Sequence, residues 1–513
     1  MKRGRLLLIC LGAGAAALSY ASWRGTGTGI ETYAEVARLP RLRPDYTGTT
    51  IPPNIAPLNF VVDEPGTRYR VRIHSAQGEP VEISGKTPEI RIPPGSWRAL
   101  LRANRGKPLF VDVCVKGADK AWKRFARVTN RVAEESIDGY VMYRLMKPIY
   151  TWWRDIRICQ RNLENCDESL VISGESFGAC LNCHSFLNND PRRMFLGIRS
   201  RTYGSSVLQV SDGAVSKIGT KFGYTAWHPS GRLAVFSVFN VKQFFHASRP
   251  EIRDFVELDS AMAYYDLEKK NVGVAPPLSA KDQLEAQPTW TPDGRYLYFC
   301  SAPKPWADAD SFTPEQCFQL KYDLKRAPYD LETNTWGEVE TALSAQETGL
   351  SVLLPRISPD GRFLLFCMCG YSCFPLNQPD SDLYLLDLAT GKYEKLDAVN
   401  SDAADSWHSW STNSRWIVFS SKRTTPLFTK LYFSYIDETG KAHKPFVLPQ
   451  KDPKFYDTFA KLYNVPELIA GPVKVSRRAL GRAVLSSERI EVDSVTGATP
   501  KAPAAEPASQ RHE

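Results

Sequence analysis

Four stretches of this chain align on one short pattern: Trp227-His228-Pro229-Ser230-Gly231-Arg232, Trp290-Thr291-Pro292-Asp293-Gly294-Arg295, Ile357-Ser358-Pro359-Asp360-Gly361-Arg362 and Trp410-Ser411-Thr412-Asn413-Ser414-Arg415. Each is followed by a short apolar run, at 233–236, 296–299, 363–366 and 416–419. An apolar residue, a Pro-Asp-Gly type of turn, an arginine and a strand-length apolar run describe one tight hairpin inside a sheet. A second hairpin signature lies between the copies. It is clearest at 383–391, with weaker copies at Tyr264-Tyr265-Asp266-Leu267, Tyr322-Asp323-Leu324 and 435–440. Two hairpins make a four-stranded unit that cannot bury its faces alone, and several in tandem make a β-propeller. The copies stand 63, 67 and 53 residues apart, so insertions are expected near 240–258 and 302–318. Four units are plain, an unpaired second hairpin at 207–213 implies a fifth, and terminal segments can complete a sixth. The expected fold is mainly β, a propeller of about five to seven blades.

Just before the repeats stands Cys180-Leu181-Asn182-Cys183-His184. Two thiols three apart can form thioethers to the two vinyl groups of one porphyrin, and the histidine directly after the second is then placed to coordinate the iron. The spacing therefore predicts one covalent haem c, held by Cys180 and Cys183, with His184 as proximal ligand. A thioredoxin-like redox pair, half of a zinc site and a plain disulfide are the other readings of the same residues. Met194, with its soft thioether, is the candidate distal ligand, and Met142, Met146, His228 and His246 are its rivals. Arg192, Arg193, Arg199 and Arg201 are available for the haem propionates.

Lys2, Arg3 and Arg5 precede an apolar run at 6–18 and a small-x-small site at Ser19-Tyr20-Ala21. This order predicts a secretory signal peptide over 1–22, with an uncleaved N-terminal anchor and membrane association through it as the alternative. Export places the chain where c-type haem is attached. In such an oxidising compartment, Cys159 with Cys166, Cys300 with Cys317, and two of Cys367, Cys369 and Cys373 are candidate disulfides. The net charge of +9 on 513 residues has no dense Lys/Arg block and does not call for nucleic acid.

The remaining organisation reads as a linker at 23–45, a small β-sandwich-like domain at 46–125, a helical segment carrying the haem site at 126–203, the propeller at 204–472 and a disordered tail at 473–513. The helix is expected over 130–161 from the stripe Ile137, Val141, Leu145 and Pro148, with Trp152 and Trp153 after it as core or interface residues.

The Pro-Asp-Gly-Arg hairpins resemble the repeats of TolB-type periplasmic β-propellers. The order of β-rich N-terminal domain, Cys-Leu-Asn-Cys-His-Ser-Phe and propeller resembles a group of bacterial exported proteins that combine a single c-type haem site with such a propeller, over roughly 46–470. The resemblance implies a periplasmic protein with Cys180 and Cys183 as thioether donors and His184 as proximal ligand; the N-terminal anchor, if uncleaved, would hold it at the inner membrane. The expected function is that of a monohaem cytochrome that passes electrons, its propeller docking a redox partner or envelope complex. A haem-assisted propeller oxidoreductase and an envelope binding scaffold with a structural haem or a redox cysteine pair are the alternatives.

Overall fold

The structure is a computed structural model that describes residues 32–148, 155–200, 202–246 and 253–492. The signal segment at 1–22, Trp152, Trp153, Arg201 and residues 493–513 lie outside the described residues. No helix among the described residues is long and apolar enough to cross a membrane.

Six sheets of four or five strands follow one another in the chain. Their first strands, Ala179–Phe186, Thr225–Trp227, Gln283–Trp290, Ser351–Ile357, Asp405–Trp410 and Leu462–Ile469, contact one another in a cycle, a propeller-like arrangement. Each repeated motif is the turn between the first and second strands of its sheet. That turn needs a left-handed residue, supplied by Gly231, Gly294 and Gly361 at φ of 72°, 72° and 74°. The fourth copy uses Ser414 at φ 60°, a conformation that costs a side-chain-bearing residue about 1 kcal/mol. Its hydroxyl accepts the backbone N–H of Asp360 at 2.9 Å, tying two neighbouring turns together, which gives the serine a use that glycine lacks.

The second hairpins close between third and fourth strands at 264–271, 383–393 and 435–446, where they were expected. One copy is misplaced. Tyr322-Asp323-Leu324 opens the third strand Asp323–Asp330, and the turn lies at 330–334, where the Asp330 carboxylate accepts the N–H groups of Glu332 and Thr333 at 2.9 Å each.

No α-helix forms among the described residues of 130–161. The segment holds the strands Val128–Val132, Tyr140–Met146 and Arg157–Asn162. Tyr140–Met146 is a central strand, paired on one side with Arg157–Asn162 and on the other with Leu462–Ile469. Buried on both faces, it carries no two-residue alternation, and its apolar residues imitate a helical stripe. The Leu462–Ile469 strand thus joins the end of the described chain to the sheet that begins the propeller.

The N-terminal domain is a seven-stranded sheet and a three-stranded sheet with the helix Pro94–Ala103. It begins earlier than residue 46, because Ala34–Val36 and Leu42–Arg43 of the expected linker are strands of these sheets, and it runs on to Val128–Val132. It docks on the sixth sheet: Asn59 donates to the Gln450 carbonyl at 3.0 Å and Thr50 meets His443 at 3.0 Å.

Within this domain Asp112 is 3% exposed and gathers His74 at 2.9 Å, Arg127 at 2.9 Å and Arg124 at 3.3 Å. Burial alone would raise its pKa; the hydrogen bonds from His74 and Arg127 and the nearby arginines hold it well below the usual carboxylate range. Asp112→Ala should cost about 3–5 kcal/mol in urea unfolding, because it strands partly buried cations. The depressed carboxylate stabilises fully above its unfolded pKa, so the difference between Asp112→Ala and the parent should shrink as pH falls below about 4.

The tail expected from 473 is ordered as far as 492. Arg477–Leu485 is a helix capped by Ser476, whose side chain accepts the Ala479 N–H, and it buries Leu480 and Val484. The Lys217 ammonium donates to the carbonyls of Val484 and Ser486 at 3.0 and 2.9 Å, closing the C-terminal end of the helix where cations are favoured. Five apolar positions diluted by arginines in this short helix left no readable period in the sequence. The expected disulfides do not form: Cys159, Cys166, Cys300, Cys367, Cys369 and Cys373 are buried thiols packed as small apolar side chains.

Candidate functional site

The strand Ala179–Phe186 carries the Cys-x-x-Cys-His motif in extended form as the first strand of the second sheet. Its antiparallel partner Arg193–Ser200 sets Arg199 opposite Cys180, Ile198 opposite Leu181, Leu196 opposite His184 and Met194 opposite Phe186. The register shifts between Leu181 and His184, which places Asn182 and Cys183 in a bulge. Directly paired residues share a face of a sheet. The pairing therefore puts Cys180 beside Arg199, and His184 on the face of Leu196 and Met194.

Of the ten described cysteines, eight are buried, and Cys180 and Cys183 alone are partly exposed. Burial raises the Cys180 thiol pKa, against the pull of Arg144 and Arg199. Burial likewise pushes the Cys367 thiol well up.

His184 is 2% exposed, and neither of its ring nitrogens makes a hydrogen bond. The backbone carbonyls of Met142 and Val465 approach the ring without completing one. Burial, helped by the charge of Arg144, pushes its pKa down to about 3, so the imidazole is neutral and keeps a free lone pair. The other buried histidines differ. His228 bonds Ser230 at 2.7 Å and the Gly294 carbonyl at 3.2 Å, and His408 bonds the Leu365 carbonyl at 3.1 Å. Among the described residues, His184 is the one histidine with both nitrogens unpartnered.

Met194 is fully buried in the core between the first and second sheets, together with Met142, Leu181, Leu196, Ile198 and Ile469. Of its rivals, His246 is engaged by Asp254 at 3.1 Å and His228 by the bonds above. Among the described arginines proposed for propionates, Arg192 pairs with Asp190 at 2.8 Å on the surface, and Arg199 is the one paired across the strands with a motif thiol. Two further cations were missed by sequence reasoning. Arg144, from the first sheet, acts on Cys180, His184 and Arg199, and Lys221 acts on Arg199 from the loop before the third sheet. Both stand more than 35 residues from the motif, where spacing carries no signal.

The donor set suits a haem c chemically: two accessible thiols, a neutral imidazole with an orphaned nitrogen, and cations for carboxylates. On the axis of the ring lies a cavity of about 440 Å³, walled by Trp227, Trp290 and Trp410 and by the Arg356–Glu467 ion pair at 2.7 Å. Ser185 and Phe186, at the end of the motif strand, line it.

No family model matches the sequence. No curated protein matches it either. Among solved structures, the chain is similar to TolB from Acinetobacter baumannii at 13% identity and a TM-score of 0.41, over 71% of this chain and 79% of that one. It is similar to the hydrazine synthase of Kuenenia stuttgartiensis at 14% identity and a TM-score of 0.29, over 51% of this chain and 64% of that one. The oligogalacturonate lyase of Vibrio parahaemolyticus follows at 12% identity and a TM-score of 0.33, over 74% of this chain and all of that one.

Proposed function

We propose that this chain is an extracytoplasmic monohaem c-type cytochrome, its haem held through thioethers by Cys180 and Cys183 and at the iron by His184, on a six-bladed TolB-like propeller that docks a redox partner in the cell envelope. One observation carries the reading: the two accessible thiols and the one fully unpartnered histidine of the described chain fall within five consecutive residues. A buried imidazole with no hydrogen bond costs stability unless something else takes its lone pair. When bound, the haem supplies one-electron transfer. The chain's part is to keep His184 neutral through burial, to shield it in an apolar core, and to offer Met194 as the distal thioether.

The test is a pyridine haemochrome spectrum of the protein exported from a host able to attach c-type haem, beside Cys180→Ala/Cys183→Ala. We expect one covalent haem per chain, and its loss in the double variant. A parent chain that leaves that host without covalent haem overturns the proposal. A far-red band of ferric haem that disappears in Met194→Ala would identify the distal ligand.

A further inference from the structure

Arg199 and Lys221 come from different parts of the second sheet and its exit loop, yet they converge on one ring. The guanidinium carbon of Arg199 lies 5.8 Å from the centroid of Phe239, and the Lys221 ammonium lies 5.2 Å from it. Lys221 also donates to the Phe239 carbonyl at 3.2 Å. Phe239 reaches this position because residue 223 is glycine: a Cβ there would stand 2.3 Å from the Phe239 ring. Tyr224 packs on the same ring at 5.6 Å. Among the described residues neither cation has a carboxylate within ion-pair distance, in contrast to Arg192, which Asp190 pairs at 2.8 Å. Burial lowers the pKa of Arg199, and burial together with Arg199 brings Lys221 down to about 8. Two partly buried cations within 6 Å of one ring centroid, without a counter-charge, describe a place where an anion belongs. It adjoins the thiols, because Arg199 is the direct cross-strand neighbour of Cys180.

We propose that Arg199 and Lys221, over the Phe239 ring, form a carboxylate-binding subsite that receives the acidic side chains of the group attached at Cys180 and Cys183. The last part rests on the haem reading; the anion site itself does not. Two fixed donors here orient the edge of the bound group and exclude its rotation, and their positive charge favours the reduced state of a redox centre beside them. The same donors can take a free phosphate or carboxylate when no group is attached.

The experiment uses the full chain prepared in two forms, without haem and with covalent haem, and titrates each with inorganic phosphate by calorimetry. The haem-free chain should bind phosphate at one site. Arg199→Gln and Lys221→Met should each weaken that binding at least tenfold, and Arg199→Lys should recover much of it, with thermal unfolding confirming that each variant folds. The haem-loaded chain should no longer bind phosphate there, and its midpoint potential should fall in Arg199→Gln and stay near the parent in Arg199→Lys. No phosphate binding by the haem-free chain, or binding untouched by either substitution, overturns the anion site. Equal binding by both forms overturns the assignment to the attached group and leaves a site for free anions. If covalent haem never forms, the haem reading fails, and the titration of the haem-free chain still decides the subsite.

Discussion

A chain that stops after Lys461 should fail to fold, whereas one that stops after Val492 should melt with the parent. The shorter form lacks Leu462–Ile469, a strand buried along its whole length, in which Leu462, Tyr463, Val465, Leu468 and Ile469 are each at most 3% exposed. Burying such side chains contributes about 1.5–3 kcal/mol apiece, so together they match or exceed the roughly 5–15 kcal/mol by which whole domains are stable. The loss goes beyond packing. Without this strand, Tyr140–Met146 becomes a naked edge that invites association, and the cycle of first strands is open between Asp405–Trp410 and Ala179–Phe186. Circular dichroism melting and size-exclusion chromatography of the two truncated chains make the comparison. A cooperative transition within a few degrees of the parent in the chain ending at Lys461 would show that the strand is dispensable.

Between about pH 5 and 8, Glu257 and Glu285 should each withdraw stability from the fold, against the gain that the buried neutral His184 and His408 make up to about pH 6.5. Glu257 is 1% exposed, with one carboxyl oxygen bonded by the Tyr322 hydroxyl at 3.0 Å and the other unpartnered. Burial raises its pKa to about 7. Glu285, 3% exposed, is raised by burial to about 8. The sign follows from which state binds protons more tightly. Below about 4.5 both states are protonated and neither group favours unfolding. Above that the unfolded chain ionises freely while the folded chain holds the protons, so each group withdraws about 1.4 kcal/mol per pH unit until its folded pKa is reached. The total is of order 3 kcal/mol for Glu257, and more for Glu285. Urea unfolding at pH 5, 6, 7 and 8 should show Glu257→Gln and Glu285→Gln each gaining on the parent as pH rises. A difference between variant and parent that stays constant from pH 5 to 8 would refute the assignment.

The propeller part of the fold was legible because its turns are chemically demanding. Gly231, Gly294 and Gly361 occupy left-handed positions that few other residues accept, and so they repeat in the sequence. The sheet completed by both ends of the propeller was legible only as a gap in the count. Its strand Tyr140–Met146 is buried on both faces and reads as a helix, and its partner lies more than 300 residues away. Of the candidate site, Cys180, Cys183 and His184 were visible through their spacing. Their setting on a strand, the orphaned imidazole and the approach of Arg144 and Lys221 depend on which sheets meet, which spacing does not encode. Seven buried thiols show the converse, since proximity in sequence suggested bridges among them that the packed core does not make.

The imidazole of His184 has as its near neighbours Met142 of the first sheet and Val465 of the strand that completes it. Half of this enclosure is therefore made by the last strand of the propeller, so the surroundings of His184 stay incomplete until a residue about 280 positions further along the chain is in place, and a chain cut short of residue 465 leaves the imidazole open on that side.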